Sequence, residues 1–235
     1  MICQNRDQLT ARQPALISTL TSVAILLIVA FFAAPLVSAH ESSPNQIDQL
    51  KRAVVVITTY DGLGKPLLQG SGFFIDAEEV VTNLHVIKGA SQIHIETFAG
   101  TTTTVQSVVA TNEGTDLALL RIAQPCPNSA ILQLAAAPVE GESIMLVSNP
   151  QGSRWKVTRG SVGILWEFGG MGTRLQITAA IFPGSSGGPV VNKRGEVIAI
   201  ATLHVNSADD LNFAVPVEGL KNLQAQAKLA KVQPN

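Results

Sequence analysis

A chain of 235 residues holds one large domain, or two closely packed barrels once any targeting segment is set aside. Hydrophobic residues at 46% against 14% charged exclude an intrinsically disordered chain, and a formal net charge of -1 with no local basic run excludes a nucleic-acid partner. Cys3 precedes an apolar run and Cys126 stands alone in a turn-like segment, so no internal disulfide, thiol nucleophile or zinc site is expected, and core packing must hold the fold.

Residues 15–39, ALISTLTSVAILLIVAFFAAPLVSA, carry no charge and follow Arg6 and Arg12, the order of a secretory signal. Val37-Ser38-Ala39 offers small side chains for cleavage after Ala39. The stretch 15–37 also reaches the roughly 20 residues that span a bilayer, so a retained membrane anchor fits as well. Both readings place the rest of the chain outside the cytoplasmic membrane: periplasmic, extracellular or anchored. Residues 40–46 read as a polar linker, and IDQLKRA as one short helical turn at the start of a domain covering residues 47–235.

From there the pattern is of short, β-branched runs divided by Gly, Asp, Glu and Pro turns. Strands are expected at 53–60, 71–76, 79–83, 92–98, 103–110 and 116–123, then, after the link QPCPNSA, at 143–149, 156–165, 174–180, 188–192, 195–205 and 212–217. With no long amphipathic helices between them, these strands indicate an all-β fold, and two sets of six match two six-stranded antiparallel barrels, about 53–123 and about 140–217. The same pattern argues against an α/β-hydrolase esterase. Leu220, Leu223, Ala227 and Ala230 recur at helical spacing, predicting a short C-terminal helix over about 218–232, packed by one apolar stripe on the second barrel. Too few residues follow Pro216 for an appended peptide-binding domain.

Three segments carry chemistry. FPGSSGGPVVN puts serine on a glycine-rich turn where backbone N–H groups can converge on one point. VTNLHVIKG sets His85 just after an apolar strand. TNEGTDLALLRI brings Asp116 to an otherwise apolar strand, where a carboxylate is costly unless it accepts hydrogen bonds, and an imidazole N–H is a suitable donor. A structural histidine, a turn Asp and an ordinary Gly-Ser loop remain the plainer alternatives for each alone. Together they run His, Asp, Ser, the chain order of the chymotrypsin arrangement.

Over residues 47–217 the chain resembles the trypsin-like serine peptidases, and among them the bacterial Deg/HtrA type. SGFFI with VVTNLHVI resembles that family's glycine-rich strand and histidine motif, TDLALLRI its aspartate motif, GSSGGPVVN its nucleophile motif and LNFAVPV its closing strand. The resemblance implies a serine endopeptidase acting on unfolded or extended polypeptides, with Ser186 as nucleophile, His85 as general base and Asp116 as orienting acid. It implies an oxyanion hole made by the N–H groups of Gly184 and Ser186, and it requires no cofactor. Ala180, six residues before Ser186, falls at the floor of the primary specificity pocket, with Ile181 and Leu203 as further lining, which implies cleavage after small or medium aliphatic residues. Residues 202–204 offer a backbone edge to an extended peptide. Thr178 stands where the family usually has an acidic residue, and Ser185 where it more often has Asn. A trimer is common in the family. The loop EFGGMGTR, 167–174, is read either as a plain hairpin connection or as a segment that orders the oxyanion hole on substrate binding. The alternative function is a catalytically inactive peptide-binding module on the same fold. Neither His94 nor His204 joins His85 in a metal-ligand spacing, and His40 belongs to the linker, so no metal site is expected.

Overall fold

A computed structural model gives the fold; it describes residues 44–205 and 211–232, so the segment 15–39 and its cleavage site lie outside the described residues. Helix α1, Pro44–Ala53, opens the described chain. Proline suits a first helical turn, where its missing N–H removes no bond, while Lys51 and Arg52 complement the negative end of the dipole. The helix starts inside the stretch read as linker and exceeds the single turn expected, because Leu50 and Ala53 are buried and anchor it.

Twelve strands follow. The first six are β1 Val54–Tyr60, β2 Pro66–Phe74, β3 Glu79–Asn83, β4 Gln92–Thr97, β5 Thr102–Asn112 and β6 Leu117–Ile122. The second six are β7 Ser143–Ser148, β8 Lys156–Glu167, β9 Thr173–Ile177, β10 Pro189–Val191, β11 Val197–Val205 and β12 Leu211–Pro216. Each set closes into an antiparallel barrel, in the order β1-β2-β3-β6-β5-β4 and, identically, β7-β8-β9-β12-β11-β10. The fold is therefore all-β with paired six-stranded barrels. Closure gives every strand a partner on both sides, although β10 is so short that the end of β11, residues 203–205, pairs with β12 alone.

Three cores hold this arrangement. One lies in the first barrel around Val55, Ile57, Phe74, Ile95 and Leu120, and one in the second around Leu146, Val162, Leu175, Val190 and Ile198. The third joins the barrels: Phe73, Leu117 and Leu119 from the first pack with Val147, Val191, Val197 and Val215 from the second. Each fully buried side chain of this kind contributes roughly 1.5–3 kcal/mol. The seam is sealed by Leu50 of α1 and by Leu220 and Leu223 of the C-terminal helix α3, Val217–Val232.

That last helix departs from expectation. It lies against β5 and β6 of the first barrel as well as β11 and β12 of the second, so it straddles the seam instead of packing on the second barrel alone. Leu220, Leu223 and Ala227 are buried, but Ala230 is exposed and falls outside the stripe, since the seam ends before the helix does. Among the described residues no helix is long and apolar enough to cross a membrane.

Candidate active site

The chain leaves β3 at Asn83 and makes one helical turn, α2 (Leu84–Ile87), whose inner face buries Val86 and Ile87 and leaves His85 exposed. Asp116 sits immediately before β6 in a left-handed conformation, φ 58°, which a side chain with a Cβ adopts at a cost of about 1–2 kcal/mol. Its partners explain why it stays there. The Asp116 carbonyl accepts from Leu84 N at 3.0 Å and from Asn83 Nδ2 at 2.9 Å, and Oδ1 accepts from His85 N at 2.9 Å. Oδ2 lies 2.6 Å from His85 Nδ1 and accepts from Thr202 Oγ1 at 2.9 Å. Backbone and side chain of Asp116 are thus both latched to residues 83–85.

Burial by itself pushes the Asp116 carboxyl pKa up, but the hydrogen bonds and charge of His85, helped by Thr202, outweigh it and hold the group below the ordinary carboxylate value. An ionised carboxylate only accepts, so the proton of the shared bond resides on His85 Nδ1, and Nε2 of the neutral ring is an acceptor.

Ser186 lies on the turn between β9 and β10. Gly184 and Gly187 both have positive φ, 93° and 87°, and neither has room for a side chain. A Cβ on Gly187 would come within 2.1 Å of the Ser71 carbonyl, and one on Gly184 within 2.7 Å of the Asn149 carbonyl. The peptide planes here are pinned from behind. The Pro183 carbonyl accepts from Gln151 N at 3.0 Å, and the Ser185 carbonyl accepts from Gly188 N at 3.0 Å. Because a trans peptide points its N–H opposite to its C=O, the N–H groups of Gly184 and Ser186 face away from those bonds. Neither donates to a backbone carbonyl among the described residues.

Ser71, fully buried in β2, fastens this turn to the first barrel: its N donates to the Ser186 carbonyl and its hydroxyl to the Gly184 carbonyl, both at 2.8 Å. Ser185 is also buried, its Oγ accepting from Ser148 Oγ and Phe182 N, which leaves Ser186 as the accessible hydroxyl of the pair. The Ser186 hydroxyl donates to the Thr202 carbonyl at 3.2 Å. Thr202 therefore joins the sites, taking Ser186 on its carbonyl and giving its own hydroxyl to Asp116. Sequence reading missed the roles of Thr202 and Ser71. Thr202 looked like any β-branched strand residue, and Ser71 was legible only as part of the SGFF strand.

The other expected positions divide. Ala180 is exposed, and its carbonyl accepts from Thr158 Oγ1. Ile181 is buried with the core of the second barrel at 6% exposure, its N bonded to Asn212 Oδ1. Leu203 is in β11 opposite Phe213, and its side chain lies outside the described set. Thr178 Oγ1 accepts from Ser161 N and ties β9 to β8. The β8–β9 connection forms a 3-10 turn, Gly169–Met171, and its Gly170 lines a hollow with Leu84, His85, Lys88, Glu113, Gly114 and Asp116. That connection thus approaches the His85–Asp116 pair. Gly184-Ser185-Ser186-Gly187-Gly188 also spells G-x-S-x-G, but strand β10 follows it where a nucleophile elbow would run into a helix. Among the described residues no cluster of His, Cys, Asp and Glu is arranged to hold a metal.

Twin six-stranded barrels with His and Asp from one and a glycine-flanked Ser from the other define the chymotrypsin-like class. The family model described as a trypsin-like peptidase domain matches residues 70–200, and the chain belongs to that family. It is 36% identical over 169 residues to a putative serine protease, HhoA, of Synechocystis, covering 66% of this chain and 42% of that protein. It is 28% identical over 179 residues to the anti-sigma-I factor RsgI9 of Acetivibrio thermocellus, covering 76% of this chain and 25% of that one. The crystal structure of the serine endoprotease from Yersinia pestis superposes with a TM-score of 0.69 at 27% identity, over 80% of this chain and 67% of that one. The chain spans less than half the length of these two curated relatives.

Proposed function

We propose that this chain is an exported serine endopeptidase that hydrolyses internal peptide bonds of unfolded or extended polypeptides through an acyl-enzyme. The observation that carries this reading is the 2.6 Å bond between His85 Nδ1 and Asp116, joined through Thr202 to a serine on a turn with two unclaimed N–H groups. Ser186 is the nucleophile. For attack its hydroxyl turns from the Thr202 carbonyl to His85 Nε2, which takes the proton as the oxygen adds to the scissile carbonyl and gives it to the departing amine. Asp116 fixes the imidazole tautomer and stabilises its cation. The N–H groups of Gly184 and Ser186 receive the developing oxyanion, where a single donor is worth roughly 3–4 kcal/mol. Water then repeats the cycle on the ester, and no step calls for a metal or organic cofactor.

Exposed Ala180 offers neither a counter-charge for Lys or Arg nor bulk, which supports cleavage after Val, Ala or Leu. Export rests on the apolar segment 15–39 following Arg6 and Arg12, with cleavage after Ala39 giving release and retention of 15–37 giving anchorage. The catalytically silent peptide-binding reading draws on one observation: the Ser186 hydroxyl is bonded to Thr202, not to His85.

A serine-directed fluorophosphonate applied to the purified domain separates the two. An adduct located on Ser186 by peptide mass spectrometry, absent in Ser186→Ala, is the expected result. Folded protein that takes no label, even with unfolded substrate present, would favour the silent module.

A further inference from the structure

Arg174, the second residue of β9, is buried at 3% exposure. Arginine is rarely buried unless paired. Yet among the described residues it forms no ion pair, and its guanidinium instead donates to two backbone carbonyls: Thr173 at 3.0 Å through Nη1 and Gly114 at 3.5 Å through Nη2. Gly114 belongs to the first barrel, in the turn closed by Asp116 N donating to the Glu113 carbonyl at 3.3 Å. The second barrel thus reaches across the seam to the backbone that delivers Asp116.

The β8–β9 connection lies beside this contact. A Cβ on Gly172 would stand 3.4 Å from the Gly114 carbonyl and 4.0 Å from Arg174 Nη1, so the β8–β9 connection and Arg174 neighbour the same turn. Gly170 of that connection lines the hollow beside His85 and Asp116. The other charges at the hollow, Lys88 on α2's end and Glu113 on the turn, are exposed and opposite in sign, and the Glu167 carboxylate at the end of β8 accepts from Thr173 Oγ1. Burial lowers the guanidinium pKa, and the negative charge of Asp116 partly offsets that, which places the two groups within electrostatic reach.

We propose that Arg174 is a positioning residue for the His85–Asp116 pair, holding the Gly114 carbonyl across the barrel boundary and so keeping the Asp116 turn in its left-handed geometry. The inference deepens the proposed serine-peptidase reading and rests on it. Without the guanidinium, the Asp116 carboxylate loses its alignment on His85 Nδ1, the imidazole is no longer fixed as the Nδ1–H tautomer, and serine activation falls while ligand binding is untouched.

The test compares wild type, Arg174→Lys and Arg174→Met by fluorophosphonate kinetics, separating the maximal labelling rate from the half-saturating concentration. Ring-nitrogen NMR shifts of His85, which report the tautomer, are measured on the same proteins. The expected result is a maximal rate lowered about 10- to 100-fold in the Met variant and less in the Lys variant. Half-saturation should stay within about twofold, and the His85 ring shifts should move in the same order. Both variants labelling within twofold of wild type with unchanged ring shifts would overturn the proposal, as would rates that fall only in step with the unfolded fraction. Should the Met variant fail to fold, the folded Lys variant decides: a rate at least threefold lower with altered His85 shifts supports the role, and wild-type values refute it. If wild type itself takes no label, the peptidase reading fails, and the His85 shifts alone still decide the role of Arg174.

Discussion

The two barrels repeat one strand order yet fix their site residues by different means. The first barrel builds most of its latch internally: Asp116 bonds through carbonyl and carboxylate to three consecutive residues, Asn83, Leu84 and His85, and the second barrel adds Thr202 on the carboxylate and Arg174 on the Gly114 carbonyl. The second barrel carries its serine on a turn of glycines, where close backbone approach and unclaimed N–H groups require the absence of side chains. The turn is held within its own barrel by Ser185 N on the Phe182 carbonyl and Gly187 N on the Ala201 carbonyl, both at 2.8 Å, but not by those bonds alone. It borrows restraint from the first barrel, through Ser71 bonded to Ser186 and Gly184. The lesson is that each half is held first by its own bonds and then by a few from its neighbour, Thr202 and Arg174 in one direction and Ser71 in the other.

The sharpest break in the comparison is Asp116→Asn. It keeps the shape but removes the acceptor that holds the His85 tautomer, and a loss of about 10⁴-fold in turnover is expected, as for the orienting acid of other triads. Fluorogenic aliphatic peptides at pH 7–8 measure it. The same variant tests the latch through pH. Because the Asp116 pKa is lowered by folding, its stabilising contribution is complete above the unfolded value of about 3.9 and is lost as pH falls through the lower folded value. The gap in melting temperature between wild type and variant should therefore narrow on acidification below that range, and a constant gap would refute the coupling.

A smaller effect is expected from Gly187→Ala. The new Cβ meets the Ser71 carbonyl and Thr82 Oγ1 at a positive φ, so denaturant unfolding should show a loss of about 3 kcal/mol or more. Gly141→Ala, at φ 77° with no atom within 4 Å of the new Cβ, should cost only about 1 kcal/mol. Equal costs would mean that packing across the seam does not constrain the turn. Between these, Ser71→Ala strips a donor from the half-buried Gly184 carbonyl and an acceptor from the buried Asn149 N, with about 1–3 kcal/mol of stability lost. If the turn borrows its order from the first barrel, fluorophosphonate labelling of Ser186 should slow as well. Destabilisation with an unchanged labelling rate would show the turn to be self-supporting.

Much of this architecture was legible in the chain. Each of the twelve expected strands is present, because alternating β-branched runs between Gly and Pro turns leave the backbone few other options. Boundaries moved where pairing extended a strand beyond its apolar stretch, as in β2, which begins at Pro66 although its first three residues are exposed. The α2 turn at His85 escaped notice because four residues are too few to show a helical period. The C-terminal helix was visible from its spacing, but its seat across both barrels was not, since periodicity shows which face is buried and not against what.

What the sequence by itself determined is what depends on local pattern: the all-β class, the two sets of strands, the family and the identities of His85, Asp116 and Ser186 as candidates. What only the tertiary structure decided is how groups far apart in the chain meet. Thr202 joining Asp116 to Ser186, Ser71 gripping the serine turn and Arg174 reaching Gly114 all bridge long separations in sequence. Hydrogen bonds of this kind leave no periodic trace, because their geometry exists only once both barrels have closed and the seam between them has packed.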